Sequence, residues 1–278
     1  MQHLMIKIIG NTINGLAKVA PVLAGKIGFN IFCTPFSAKI KPYQLAFLDT
    51  AEKFSITIDG NKVQCYKWGK GSKKVLFIHG WASFTFRWKK YIEYFSKGDY
   101  TIYAYDAKAH GLSGGKTVNL VINANYIKEV VNYIGEIDAA ICHSFGGFTL
   151  SYLLKHLPDT KIKKAVIMGA PGEAIQFFEF YKQKLNLTEK ATKIIIDRFV
   201  KNLNKTPQYF SSPAFAKEIK IPCLIVHDKN DEEAPLETAM ALHKNWQGSK
   251  IIVTEGLGHH LKSDELMMEV EQFVNNLA

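Results

Sequence analysis

The sequence predicts an α/β fold: a mostly parallel, doubly wound sheet with helices on both faces, a helical cap inserted late in the chain, and a helical extension ahead of it. Three observations predict this. Short continuous apolar runs such as K-V-L-F-I-H-G, Lys74 to Gly80, recur along the chain and suit strands covered on both faces. Between them lie stretches with apolar residues at helical spacing, and that alternation builds a parallel sheet. One interval of roughly fifty residues, Gly172 to Lys220, carries two helical patterns and no strand, which is too long for a bare loop.

Residues 1–50 form the apolar extension, cut by Pro21, Pro35 and Pro42 into short helical or irregular pieces. In its first part Lys7, Asn11, Asn14 and Lys18 recur at helical spacing, with Leu4, Ile8, Ile13 and Leu16 on other faces. This is an amphipathic helix, which either packs on the body of the protein or lies on a membrane surface. Residues 51–278 form the main domain. Alternation on both sides of Asp59-Gly60-Asn61 marks a β-hairpin. Strands are then expected over Lys74–Gly80, Tyr100–Asp106, Ala139–His143, Ile162–Met168, Ile221–His227 and Ser249–Thr254. Helices are expected over Asn119–Gly135, Phe145–Leu157, Pro235–Trp246 and about Asp264–Leu277. The cap spans about 173–220: its first helix reads E-A-I-Q-F-F-E-F-Y-K-Q-K-L, and its second follows Thr188, a good N-cap residue.

The 278 residues, 47% hydrophobic and 22% charged, suffice for one large core. A net charge of +10 suggests nucleic acid, but of the 35 basic residues only Arg87 and Arg198 are arginine, and the lysines are scattered. The guanidinium forks that read bases and phosphates are nearly absent, so no nucleic-acid partner is expected. Cys33, Cys65, Cys142 and Cys223 show neither C-x-x-C spacing nor pairing with histidines. They read as reduced thiols of a cytoplasmic protein, not as a disulfide framework or a metal site. No window has the ~20 apolar residues of a membrane span, and no compact apolar run precedes a cleavage site as in a secretory signal. Peripheral membrane contact through residues 1–30 stays open.

Ligands of open α/β sheets bind beyond the carboxyl ends of the strands. Those ends carry His79-Gly80-Trp81, Asp106, His143-Ser144, Asp228 with Asp231, and His259-His260, so a serine, acids and histidines follow in the order Ser…Asp…His. The stretch A-I-C-H-S-F-G-G-F, Ala140 to Phe148, approaches the G-x-S-x-G turn that raises a nucleophilic serine above a sheet. Cys142 stands where the first glycine belongs, and one added sulfur should cost at most ~1–3 kcal/mol of crowding. Ser144 could instead be a plain helix cap, and Cys142 is a rival nucleophile.

Four motifs, each after an expected strand, carry a resemblance over residues 51–278. They are F-I-H-G-W (Phe77–Trp81), Y-D-A-K-A-H-G-L-S-G (Tyr105–Gly114), C-H-S-F-G-G (Cys142–Gly147), and H-D-K-N-D-E-E-A-P (His227–Pro235) followed by E-G-L-G-H-H (Glu255–His260). The chain resembles the α/β-hydrolase-fold superfamily, its serine esterases and lipases in particular. The resemblance implies Ser144 as nucleophile, His259 as base with His260 as rival, and Asp231 as the orienting acid with Asp228 and then Asp106 as rivals. Backbone N–H groups of Trp81 and Phe145 would form the oxyanion hole. His79, His110 and His143, and the loop Asp106–Ser113, read as structural.

The expected function is hydrolysis of a small or medium carboxylic ester through an acyl-enzyme, with a hydrophobic small-molecule substrate. Trp81 and Phe84 from the body and Phe177, Phe178 and Tyr181 from the cap are the expected pocket walls. No metal or organic cofactor is implied. Thioester, lactone and carbon–carbon bond hydrolysis run on the same groups, and a low-turnover ligand sensor on the same scaffold is the alternative class. Haloalkane dehalogenation is disfavoured, because that chemistry places a carboxylate where Ser144 stands.

Overall fold

The computed structural model describes residues 2–36 and 39–276. It divides into two compact units. The larger comprises Pro35–Gly172 and Ser212–Ala278, the smaller Met1–Thr34 and Glu173–Ser211.

The larger unit is built on one eight-stranded sheet. Its strands are β1 (Glu52–Ile58), β2 (Asn61–Trp68), β3 (Lys73–Ile78), β4 (Tyr100–Tyr105), β5 (Ala139–His143), β6 (Ala165–Met168), β7 (Cys223–Asp228) and β8 (Lys250–Thr254). Their order across the sheet is β1-β2-β4-β3-β5-β6-β7-β8. β2 runs antiparallel to both neighbours, and every pairing from β4 through β8 is parallel. Asp59 and Gly60 close the β1–β2 hairpin, both with positive φ (48° and 70°). Such a two-residue turn matches the twist of the strands it joins, which is why Asp-Gly was legible as a hairpin.

The apolar runs alternate between two cores. Val75 and Phe77 of β3, Ala139 and Ile141 of β5, and Leu224 and Val226 of β7 point to one face of the sheet. Leu76 and Ile78, Ala140 and Cys142, and Cys223 and Ile225 point to the other. Both faces are covered, so consecutive residues on a central strand must all be apolar. On the first face lie residues of α3 (Pro42–Leu48), α4 (Lys89–Phe95) and α11 (Asp264–Asn275). The second face takes residues of α5 (Leu120–Ile134), α6 (Phe145–His156), α9 (Ser212–Ala216) and α10 (Leu236–Asn245). Asn119 caps α5 by accepting from Ile122 N–H, and Ser263 caps α11 by accepting from Leu266 N–H. Expected boundaries hold to within a few residues; Leu277, taken as the end of the last helix, lies outside the described residues. The helix α4 is an addition to the expected elements, since seven residues give too few turns for a helical period to stand out.

The smaller unit corrects the expected division of the chain. The first thirty-odd residues and the insertion are one body, not a separate extension and cap, and its insertion part ends at Ser211, well short of residue 220. It contains α1 (Gln2–Val19), α2 (Pro21–Phe32), α7 (Ala174–Leu185) and α8 (Glu189–Leu203). Thr188 caps α8 as expected, accepting from Ala191 N–H. The unit forms because α2 is small on its inner face. A Cβ on Gly28 would lie 2.6 Å from Ile195 Cδ1, and one on Gly25 would lie 3.2 Å from Ile194 O, so glycine lets α8 approach. Phe178 and Phe199 close this core with Phe29 and Phe32. At the base of the insertion Ser212 N–H donates to Gly172 O at 2.7 Å, so the larger unit's chain leaves and re-enters at adjacent residues.

Candidate active site

Ser144, Asp231 and His259 each lie beyond a strand end of the larger unit. Ser144 joins β5 to α6 with φ 52° and ψ −123°, a positive φ that side-chain-bearing residues seldom adopt. The turn is locked from both ends: Ser144 N–H donates to Met168 O at 2.9 Å, and its carbonyl accepts from Gly147 and Phe148 N–H at 2.9 and 3.1 Å. A Cβ on Gly146 would stand 2.6 Å from His79 O and 2.9 Å from Ile78 O. Both are backbone atoms that cannot swing aside, so only glycine lets α6 start this close to β3. The geometry is that of a strained strand–turn–helix elbow, with Ser144 at its apex.

Cys142 is fully buried on the opposite side of the turn, within the core beneath α5 and α6. Burial pushes its thiol well above the ordinary range, so the reactive thiolate is disfavoured at neutral pH.

His259 sits in the short turn Gly258–His260 that follows β8, and Asp231 in the loop after β7. His259 Nδ1 lies 2.8 Å from Asp231 Oδ2 and 3.0 Å from Oδ1. The Asp231 carboxylate is fully buried and also accepts from Glu233 and Ala234 N–H at 2.9 and 3.0 Å. Burial alone would raise its pKa. The His259 hydrogen bond and charge, with the two backbone donors, outweigh burial and hold it below the usual carboxylate range. A carboxylate accepting from Nδ1–H leaves Nε2 as the basic nitrogen. Nε2 stands 3.5 Å from Glu233 Oε2 on an exposed side chain. Among the described residues Ser144 Oγ has no hydrogen-bond partner, so the serine–imidazole bond is not made in this conformation.

The rival residues have other occupations. Asp228 accepts from Asn230 N–H (2.9 Å), Thr254 Oγ1–H (2.7 Å) and Leu257 N–H (2.9 Å), and so ties the β7 and β8 loops together. Asp106 accepts from Thr85 and Leu112 N–H and from the Tyr66 hydroxyl, bracing two loops from below. His260 is exposed. We expect Asp231→Asn to lower kcat about 10⁴-fold without unfolding the protein, because the amide favours the wrong imidazole tautomer. Asp228→Asn should instead lower thermal stability by about 1–3 kcal/mol, through lost buried hydrogen bonds. Steady-state kinetics and melting curves on both variants check the pair.

Three further histidines organise the site. His79 Nε2 accepts from Ala107 N–H at 2.9 Å, so its Nδ1–H donates to Gly80 O at 2.8 Å. His110 Nε2 accepts from Ala82 N–H at 3.1 Å, pinning the turn after Trp81 where Ala82 has φ 49°. The Trp81 N–H has no acceptor among the described residues. Its ring stands edge-on to Phe145, with centroids 5.3 Å apart. His143, beside the elbow serine, donates from Nε2 to His259 O at 2.7 Å. Arg87, which the sequence reading passed over, reaches His260 O through Nη2 at 3.4 Å while its guanidinium lies 4.8 Å from the Trp88 ring centre. The turn that carries His259 is thus held at two successive carbonyls. Burial first, then the charges of Arg87 and His259, hold His143 neutral.

The expected pocket walls divide between the units. Trp81 and Phe84 are half-buried in the larger, and Phe177 is half-buried in the smaller. Phe178 and the half-buried Tyr181 pack within the smaller unit. Phe178 is fully buried, stacked on Phe32 at 4.4 Å and edge-on to Phe199 at 5.2 Å. The Tyr181 hydroxyl donates to Gly28 O at 2.9 Å, with its ring against Phe32. Both hold α2 and α7 together, a role that helical spacing alone could not distinguish from a wall. Among the described residues no group of three or more His, Cys, Asp or Glu is placed to hold a metal, and no helix is long and apolar enough to cross a membrane.

Residues 69–214, just over half the chain, match the sequence profile of the family described as serine aminopeptidase, S33. The chain belongs to this family of α/β hydrolases. The chain is also 29% identical over 120 residues to a bifunctional esterase/perhydrolase from Acinetobacter calcoaceticus; the match spans 41% of this chain and 43% of that relative. Its fold is shared with solved structures at low identity. An esterase from a Rhodococcus species matches with TM-score 0.62 and 15% identity, over 82% of this chain and 99% of that one. A bromoperoxidase from Bacillus anthracis matches with TM-score 0.65 and 16% identity, over 80% of this chain and 99% of that one.

Proposed function

We propose that this protein is a serine esterase acting on small or medium carboxylic esters. The observation that carries the reading is the pairing of an elbow serine with a buried Asp231–His259 dyad on neighbouring loops. Ser144 Oγ attacks the ester carbonyl as His259 Nε2 takes its proton. Asp231 keeps the imidazole in the productive tautomer and stabilises its charged form. The Trp81 and Phe145 N–H groups receive the oxyanion, each worth about 3 kcal/mol in the transition state. His259 then protonates the leaving alcohol, and water attacks the acyl-enzyme by the same route in reverse. Glu233 turns aside from Nε2 as substrate enters, since serine–imidazole bonds commonly tighten only in the complex.

Relationship to an esterase/perhydrolase supports ester cleavage over the other bonds open to this machinery. The test is turnover of matched acetyl, butyryl and octanoyl esters beside a thioester, a lactone and an aminoacyl anilide, the last because of the family's description. The expected result is a kcat/KM for at least one ester on the order of 10⁴ M⁻¹s⁻¹ or higher, exceeding every other class at least tenfold. Faster cleavage of the anilide would make the protein a peptidase, and no turnover of any substrate would make it a ligand sensor.

A further inference from the structure

The helices α1 and α2 bury one face and leave an apolar opposite face uncovered. On α1 the inner side is Ile13 and Ala17, both buried, with Gly10, where an added Cβ would strike Leu185 O. On α2 it is Ala24, Gly25, Gly28 and Phe29. These contacts complete the packing, yet large apolar side chains stand in solvent on the outside. Val19 and Val22 are each 82% exposed at the corner between the helices, with Leu23 at 46% beside them. Leu4, Met5 and Ile8 are 62%, 56% and 55% exposed one helix-length away. Leu4, Ile8, Thr12, Gly15 and Val19 follow one another at intervals of three or four residues, so they form one stripe along α1. The sequence puts Leu4 and Ile8 on a face other than the lysines; the structure shows that this face points outward.

The charge around the stripe decides what would cover it. No aspartate or glutamate occurs before Asp49, whereas Lys7, Lys18, Lys26, Lys39 and Lys41 all precede it. Lys7, Lys18 and Lys26 are exposed and flank the apolar groups, and none forms an ion pair among the described residues. A second copy of this surface would set lysines against lysines. An anionic lipid surface would take the valine and leucine side chains among its acyl chains and its headgroups against the ammonium groups. We propose that the α1–α2 face docks the protein on anionic membranes, lying in the interface without crossing it. Lysines on long stems suit this placement, because they keep their charge at headgroup level while their methylenes follow the apolar face.

The test is sedimentation of the full chain with vesicles of phosphatidylcholine alone and of phosphatidylcholine with about one-third phosphatidylglycerol. Binding to the anionic vesicles should be at least about tenfold tighter and should weaken as salt rises. Val19→Asp with Val22→Asp should reduce it about tenfold or more. Lys18→Gln with Lys26→Gln should reduce it roughly fivefold per lysine. Both pairs are solvent-exposed, and an acid at position 22, in the first turn of α2, is favoured by helix polarity and offsets the small cost of one at position 19, the last residue of α1. Melting temperature and soluble-ester turnover should therefore match the unsubstituted protein, which separates lost docking from lost folding or lost chemistry. Equal binding to both vesicle types, no binding to either, or binding unchanged in both double variants overturns the proposal. So does a lipid-free dimer, seen by sedimentation velocity, that the valine variants dissociate.

Discussion

Ser144→Ala should abolish labelling by a fluorophosphonate probe and lower kcat for the best ester by 10⁴-fold or more, leaving the melting temperature nearly unchanged. Removing a triad serine in other enzymes costs on the order of 10⁶ in kcat, and what survives comes from the oxyanion donors and substrate positioning. The variant should fold because alanine keeps the Cβ and removes only Oγ, which has no partner in the described structure. The positive φ of 52° is already tolerated by a Cβ-bearing residue, and the bonds to Met168, Gly147 and Phe148 use backbone atoms alone. Cys142 is no reserve nucleophile: it lies in the core with its thiol held protonated by burial. Active-site titration on Ser144→Ala, followed by mapping of any residual label, checks this. Label retained by the variant, or found on Cys142, would remove Ser144 from the mechanism.

Stability should fall steeply between pH 7 and pH 5, before ordinary carboxylates titrate. His79, His110 and His143 are buried, and each donates from one nitrogen in a neutral form. Burial is the chief cause that lowers their pKa values, to about 4 for His79, about 3 for His110 and well below 6.5 for His143. In the unfolded chain the same side chains titrate near 6.5. Below that pH the unfolded state binds more protons than the native state, so protonation favours unfolding. The stabilisation is complete above about pH 6.5 and is lost as pH falls towards the folded values. At pH 5 His79 and His110 each forfeit about 2 kcal/mol, and His143 adds to the loss in the same direction. The depressed pKa values of Asp228 and Asp231 add to this only at lower pH. Urea midpoints at pH 7, 6 and 5 measure the slope, and His110→Gln should flatten it. A midpoint constant across that range would mean that these imidazoles are not neutral in the native state.

His143 illustrates where sequence reading stops. Its place before Ser144 marks it as part of the elbow, and a structural role is the natural reading of a histidine on a buried strand. That it holds the His259 carbonyl depends on residues 116 positions apart meeting across the site. The choice of Asp231 over Asp228 has the same character. Both follow one strand, and only the path of the loop turns the first towards His259 and the second towards Thr254 and Leu257.

By itself the sequence determined the strands of the sheet, the hairpin at Asp59-Gly60 and the elbow at Ser144, because each is written in residues close together along the chain, and the order Ser…Asp…His is read directly along it. Strand runs, turn residues and helix caps act through local conformational preference, and the motifs lie where those elements end. Tertiary structure alone decided that α1 and α2 join α7 and α8 in one unit, that Phe178 and Tyr181 serve its packing, and that Leu4, Ile8, Val19 and Val22 face outward. A helical period states which residues share a face, but not which distant surface will cover it. That choice was made here by contacts such as Gly25 and Gly28 against Ile194 and Ile195, where close approach depends on the shapes of both partners at once.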